Sequence, residues 1–140
     1  MGKTLADLRV EIDALDQQLL ALLNARAQRA HEVGEIKHAE GSPVYRPERE
    51  AQVIASLQAA NPGPLEARNI AHIWREVMSA CRSLEAPQRV AVLGPAGTFT
   101  EQAALEFFGS SVELTHCNNF DEVFHSTAAG TTQFGVVAVE

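Results

Sequence analysis

Apolar residues in the first forty positions follow a helical repeat, with steps of three and four residues. The repeat is formed by Leu5, Leu8, Ile12, Leu15, Leu19 and Leu22. This coiled-coil spacing predicts one helix over about residues 5–38, with Thr4 and Asp7 as an N-cap pair and Gly41, Ser42 and Pro43 closing it. Such a helix is about 50 Å long, more than a small monomeric domain can cover. The stripe therefore predicts a partner helix from a second subunit.

Two more helices are predicted before the pattern changes. One begins near Pro47, a residue type suited to a first helical turn, and runs to about residue 60, where Asn-Pro-Gly-Pro ends it. The other runs over about residues 65–84. Its apolar face is predicted to hold Ile70, Ile73, Val77 and Leu84. Pro87 ends the helical part, so residues 1–86 are predicted to form an all-α three-helix domain.

From Arg89 onward, short apolar runs alternate with helix-like segments. Strands are predicted at 90–93, 112–115 and 134–139, and helices at 98–108 and 120–129. This βαβαβ order favours a parallel sheet. A parallel sheet is normally covered on both faces, and the last strand has no helix after it. We therefore interpret residues 87–140 as a partial α/β segment, the opening of a larger domain, with exposed apolar surface and an open edge.

Composition narrows the class of protein. The chain has 140 residues, is 46% hydrophobic and 21% charged, and carries a net charge of −7, which argues against nucleic-acid binding. Residues 1–86 hold ten basic and twelve acidic side chains (net −2), and residues 87–140 hold one and six (net −5). Cys81 and Cys117 lack metal-ligand spacing and suggest reduced thiols. Without a signal-peptide core or a membrane-spanning run, a cytoplasmic protein is expected.

Basic residues interrupt the stripe of the first helix. Arg26 and Arg29 take two of its positions, and Lys37 lies eleven residues after Arg26, on nearly the same face and about 16 Å along the axis. One interpretation is that these side chains extend to solvent. The other is that Arg26 and Lys37 converge on a small dianion. Arg9 lies about 42 Å from Lys37 along the helix, so only an antiparallel partner could bring it to the same ligand.

Charged residues also crowd the start of the second helix, in the run YRPERE. Arg46, Glu48, Arg49 and Glu50 could form a solvated helix start with local ion pairs. Alternatively, Arg49 binds a carboxylate through its planar guanidinium, and Glu50 accepts a substrate hydroxyl.

These segments resemble a known pair of enzymes. LRVEIDALDQQLLALLNARAQRAHEVGEIK, PVYRPERE and IAHIWREVMSACRSLE are similar to the all-helical chorismate mutase domain of bifunctional chorismate mutase/prephenate dehydratases. VAVLGPAGTFTEQAA and the terminal GVVAVE resemble the start of prephenate dehydratase. The resemblance implies phenylalanine biosynthesis, an intertwined homodimer with two shared sites, chorismate as substrate, prephenate as product, and no cofactor or metal.

The resemblance also implies roles for single residues. Arg9 of the partner chain and Arg26 would each bind a substrate carboxylate, Lys37 would hydrogen-bond the ether oxygen and a carboxylate, and Glu50 would take the ring hydroxyl. Arg49 would order the carboxylate side of the site. Arg46 is given no ligand role, because some members carry an acid there.

Two positions on the third helix are less settled. Cys81 lies near a small polar position of the family, with Ser79 as an alternative. Glu85 stands where members carry Gln or Glu. A carboxylate only accepts hydrogen bonds, so Glu85 could donate to the ether oxygen only when protonated. We therefore expect mutase activity to rise as the pH falls below neutral.

The loop after the first predicted strand carries the other motif, formed by Gly94, Pro95, Gly97, Thr98 and Phe99. It lacks the spacing of nucleotide-binding glycine loops, and it is either a tight βα turn or the first substrate-side loop of the dehydratase. The chain stops before the Asn-Ser that usually follows GVVAVE and lacks the Thr-Arg-Asp-Phe motif, so dehydratase activity is not expected. A non-catalytic helical dimer remains the alternative function.

Overall fold

The structure is a computed structural model that describes residues 2–42, 46–85 and 88–138. Three helices come first: α1 (Leu5–Glu40), α2 (Pro47–Ala60) and α3 (Ala67–Glu85). An α/β part follows, with β1 (Arg89–Leu93), α4 (Phe99–Phe108), β2 (Glu113–Cys117), α5 (Phe120–Ala128) and β3 (Phe134–Val136). The predicted fold class, a three-helix unit followed by a partial parallel α/β segment, is confirmed.

Local signals set the ends of α1. Thr4 Oγ1 accepts a hydrogen bond from the Asp7 amide at 3.1 Å, and Asp7 Oδ2 accepts one from the Thr4 amide at 3.0 Å. The predicted N-cap pair is thus a reciprocal capping box. Gly41 closes the helix with a φ of 73°, a left-handed conformation that favours glycine. The predicted breaks at Pro43 and Pro87 lie outside the described residues. The last strand is shorter than the predicted 134–139, because β3 ends at Val136 and residues 137 and 138 are not in a strand.

The helices pack around α3, which contacts both α1 and α2. Only the second half of α1 takes part, since residues 2–25 are all exposed and Gly34 is its buried residue. The predicted apolar face of α3 is only partly buried in the single chain. Ile70 is buried, but Ile73 and Leu84 are 44% and 58% exposed, and Met78, Cys81 and Arg82 lie inside instead.

The α/β part is a three-stranded parallel sheet with the order β2-β1-β3. Alternate residues of β1 face opposite sides, as a strand requires. Val90 and Val92 pack with Ala104 and Phe108 of α4, whereas Ala91 packs on the other side against α5. The sheet is thus covered on both faces. No helix in the described ranges is long and apolar enough to cross a membrane.

The α/β part packs directly on α3. The Glu76 carboxylate accepts hydrogen bonds from the amide and hydroxyl of Ser110, and Ser79 Oγ accepts one from the Ser111 amide at 3.1 Å. Gly109 makes this approach possible, because a Cβ there would lie 2.4 Å from the Ser79 Cβ. α3 is therefore shared between the two parts of the chain.

Candidate active site

A cavity of about 710 Å³, lined by many charged side chains, lies among the three helices. Its walls come from the second half of α1, the start of α2 and the end of α3. It is lined by Arg26, Arg29, Ala30, Val33, Lys37, Arg46, Glu48, Arg49, Glu50, Gln52, Val53, Met78, Cys81, Arg82 and Glu85. Six lining residues are basic and three are acidic, so the cavity is suited to an anionic ligand.

Arg26 and Lys37 enter this cavity from α1. Both are half-buried, and the helical rise places them about 16 Å apart along the axis. An Arg26 guanidinium nitrogen donates to Cys81 Sγ at 3.4 Å, which joins α1 to α3. The two predicted ligand-binding cations thus face one space, as their spacing indicated.

The structure distinguishes between Cys81 and Ser79, the two alternatives for the cavity contact on α3. Cys81 lines the cavity beside Arg26, whereas Ser79 is 1% exposed and its hydroxyl faces the α/β part through Ser111. Between these two residues, the geometry therefore favours Cys81 as the cavity contact.

Glu85 lies at the end of α3, directly against Gly34 of α1. A Cβ on residue 34 would come within 2.6 Å of Glu85 Cγ and 2.7 Å of Cδ, so a larger residue at this position would require the Glu85 side chain to shift. Burial raises the pKa of the Glu85 carboxyl, while Lys37, His31 and Arg82 act to lower it and Glu50 adds to the rise. A raised pKa favours the protonated form, which can donate a hydrogen bond.

Glu50 lies at the start of α2 and faces the buried side chain of Arg82. Arg82 Nε lies 2.8 Å from Glu50 Oε2 in an ion pair, with the two side chains 6% and 18% exposed. Burial raises the pKa of Glu50, and the nearby guanidinium groups of Arg82, Arg26 and Arg75 oppose that rise.

The other charged residues of α2 lie at the cavity mouth. Arg49 lines the cavity and is exposed, so its guanidinium is accessible to a ligand that enters from solvent. Arg46 Nε donates to Glu48 Oε1 at 3.0 Å, so the predicted local ion pair at the helix start is present. Arg46 nevertheless lines the cavity too.

Arg9 does not line this cavity. It lies on the exposed first half of α1, about 42 Å along the helix from Lys37. A single chain therefore cannot bring Arg9 to the ligand that Lys37 would bind.

Comparison with known proteins decides the family. Residues 8–86, more than half of the chain, match the family model for chorismate mutase type II. The chain belongs to the chorismate mutase type II family. Residues 90–140 match the prephenate dehydratase family model, so the resemblance to the two consecutive enzymes is confirmed.

Curated relatives carry both names. The bifunctional chorismate mutase/prephenate dehydratase of Pseudomonas aeruginosa is 47% identical over 138 residues, which covers 95% of this chain and 38% of that protein. The Aquifex aeolicus protein of the same name is 44% identical over 140 residues, covering 97% and 39%. The chain therefore spans about two fifths of the length of these relatives.

The helical part of this chain is also similar to a solved structure. The form II structure of chorismate mutase from Thermus thermophilus is 36% identical and aligns with a TM-score of 0.55. It covers 56% of this chain and 89% of that chain.

The loop in the dehydratase-like part is shaped by its backbone. Gly94 and Gly97 have φ values of 92° and 86°, which side-chain-bearing residues rarely adopt. Thr98 is the N-cap of α4, and its hydroxyl accepts from the Glu101 amide at 3.4 Å. Pro95 is exposed and Phe99 is 88% exposed.

Sequence reasoning missed two residues of the mutase cavity region. Arg82 was not singled out, although it lies three positions before Glu85 and so near the same helical face. Gly34 was given no role, although it lies inside the predicted first helix, where glycine costs about 1 kcal/mol relative to alanine. A glycine at an unfavourable position within a helix indicates that another group approaches the helix closely at that point.

Proposed function

We propose that this chain rearranges chorismate to prephenate in the cavity among α1, α2 and α3. The observation that carries the proposal is that Arg26 and Lys37 line the same cavity as the carboxyl groups of Glu50 and Glu85. A dianion bearing a ring hydroxyl and an ether oxygen needs such a set of cations, a hydroxyl acceptor and a hydrogen-bond donor. Family membership supports the same activity.

The proposed chemistry is electrostatic and positional. The rearrangement breaks and forms bonds within one molecule, so it requires no nucleophile, metal or redox cofactor. Arg26 and Arg49 would hold carboxylates and favour the reactive conformer. Lys37 would donate to the ether oxygen as negative charge develops there.

The two carboxyl groups would take different roles. Glu50, held by a cation, would accept the ring hydroxyl as a carboxylate. Glu85, with its raised pKa, would donate to the ether oxygen as a neutral acid. Cys81 would complete the wall beside Arg26 and contact the substrate.

We also propose a homodimer in which each cavity receives Arg9 from the other chain. The first half of α1 exposes a row of large apolar side chains that a soluble protein normally covers. Leu5, Ile12, Leu15, Leu19 and Leu22 are 54–68% exposed in the single chain. A second copy of α1, running antiparallel, would cover this row and reduce the distance between Arg9 and the opposite cavity.

Residues 1–86 and 87–140 are proposed as separate domains, the second belonging to the dehydratase. The matched ranges, 8–86 and 90–140, support this division. Conversion of prephenate to phenylpyruvate would require more of the dehydratase than residues 90–140 supply. The Gly94–Phe99 loop would be its first substrate-side loop. A cytoplasmic location is proposed as well, because two buried free cysteines, Cys81 and Cys117, suit a reducing compartment.

The test is an assay of the purified chain with chorismate, measuring prephenate and phenylpyruvate separately. We expect prephenate alone. Arg26→Ala and Lys37→Ala should each lower turnover on the order of a hundredfold or more. Arg68→Ala is the matched control, because this arginine lies off the cavity with a side chain that is 76% exposed.

Three outcomes would count against the proposal. A folded dimer without turnover would favour the non-catalytic alternative. Near-wild-type turnover in folded Arg26→Ala or Lys37→Ala would overturn the site assignment. Phenylpyruvate as a product would show that the α/β part is active on its own.

A further inference from the structure

Arg82 reaches three different parts of the chain from inside the protein. Its Nε lies 2.8 Å from Glu50 Oε2, one terminal nitrogen donates to Gln88 Oε1 at 2.7 Å, and the other donates to the Phe108 carbonyl at 2.8 Å. The side chain is 6% exposed. These partners belong to α2, to the residue before β1, and to the last residue of α4.

Only one of the three partners carries charge. A buried guanidinium without an anion is strongly unfavourable, so the adjacent Glu50 carboxylate stabilises the charge of Arg82. Glu85 also interacts electrostatically with this guanidinium. Gln88 and Phe108 contribute neutral acceptors that fix the plane of the guanidinium. Because the guanidinium is a rigid plane, fixing its two terminal nitrogens also fixes the position of Nε, which contacts Glu50 Oε2 as an ion pair without hydrogen-bond geometry.

The ion pair uses one oxygen of Glu50. The oxygen that lies 2.8 Å from Arg82 Nε is Oε2, so the ion pair involves this oxygen and not Oε1. Arg26 from α1 and Arg75 from α3 also influence this carboxyl group. Arg82 therefore favours the charged form of Glu50 and fixes the position of its carboxylate in the cavity that both residues line.

The two neutral partners are rigidly held by the α/β part. Gln88 is 7% exposed, and its carbonyl accepts from the Glu113 amide of β2 at 2.8 Å. Phe108 is 3% exposed in the core formed with Val90, Val92 and Ala104. The orientation of Arg82 thus depends on the packed sheet and on α4.

We propose that Arg82 is a positioning residue that orients Glu50 for the mutase reaction and makes this orientation depend on the α/β part through Gln88 and Phe108. The inference rests on the proposed function of the cavity. It adds a connection between the two parts of the chain, in which the dehydratase-like segment supports the chemistry of the helical one.

The experiment compares kcat and KM for chorismate in the full chain and in three variants. Arg82→Met keeps the length of the side chain and removes its charge, and should lower kcat on the order of tenfold or more. Gln88→Leu removes a neutral acceptor outside the cavity and should lower kcat by a smaller factor, about threefold or more. Glu76→Ala is the matched control, because it removes the Ser110 contact between α3 and the α/β part without involving Arg82, and it should keep kcat.

A second readout does not depend on turnover. The titration of the Glu50 side-chain carbon, followed by NMR in the wild-type chain and in Arg82→Met, should show a higher pKa in the variant, because an attractive cation has been removed. Folding is checked by circular dichroism and by the melting temperature of each protein.

The outcomes separate the two proposals. Unchanged Glu50 titration in a folded Arg82→Met variant would overturn the positioning role. Equal losses of kcat in Gln88→Leu and Glu76→Ala would show a general packing effect and would overturn the specific connection. An inactive wild-type chain whose Glu50 titration still shifts in Arg82→Met would overturn the proposed function while leaving the contact established.

Discussion

Replacing Gly34 with alanine should lower mutase turnover without weakening the fold. The new Cβ would lie 2.6 Å from Glu85 Cγ, 2.7 Å from Cδ and 3.1 Å from Cβ. Carbon atoms in favourable contact lie about 3.5–4.0 Å apart, so the end of the Glu85 side chain must move by about 1 Å. The contacted atoms belong to a flexible side chain, so the backbone of α1 and α3 can stay in place.

The effects on stability and on turnover should differ. Alanine in a helix interior is about 1 kcal/mol more favourable than glycine, and a strained Glu85 rotamer costs about 0.5–1.5 kcal/mol. These terms nearly cancel, so the free energy of unfolding should stay within about 1 kcal/mol of wild type. A displacement of about 1 Å in a group that contacts the reacting atoms can lower turnover about a hundredfold.

The assay combines urea unfolding with a double-mutant cycle on kcat. Gly34→Ala, Glu85→Ala and the double variant are compared with wild type. If Gly34 acts by making room for Glu85, the alanine at 34 should have little further effect once the Glu85 side chain is removed. An equal loss of kcat in both backgrounds, or wild-type kcat in Gly34→Ala, would refute the reasoning.

Three further predictions follow from the site. Burial raises the pKa of Glu85, and only the protonated form can donate a hydrogen bond. The kcat should therefore fall as the pH rises through that raised pKa, and Glu85→Gln should remove this dependence. A pH–rate profile that is flat in both proteins would contradict the prediction. Chains with Arg9→Ala and chains with Lys37→Ala should each be weakly active alone. When the two are refolded together, up to about a quarter of wild-type activity should return, because each mixed dimer has one intact shared site. If no activity returns, the active site is not shared between the two chains. Cys81→Ala should lower turnover more than Ser79→Ala, measured as kcat in folded variants, because only Cys81 contacts Arg26; the reverse order would contradict the cavity geometry.

The amino-acid sequence determined the features that arise from interactions between residues close to one another in the chain. Thr4 with Asp7 and Gly41 define the ends of α1, and Pro47 begins α2, because caps and first turns are built from neighbouring residues. The spacing of Arg26 and Lys37 places both on one face, because the geometry of a helix is fixed. The alternation of strands and helices after Arg89 likewise predicted the parallel sheet.

Only the tertiary structure decided how α3 is rotated about its axis. Its apolar residues form one stripe, but the buried face is shifted from that stripe to include Met78, Ser79 and Arg82. The shift arises because the helix contacts α1 and α2 on one side and the α/β part on another. That rotation turns Cys81 and Arg82 toward the cavity, directs Ser79 to Ser111, and brings Glu85 against Gly34. These contacts join residues that are distant in the sequence, and helical periodicity carries no information about which side of α3 each partner will occupy.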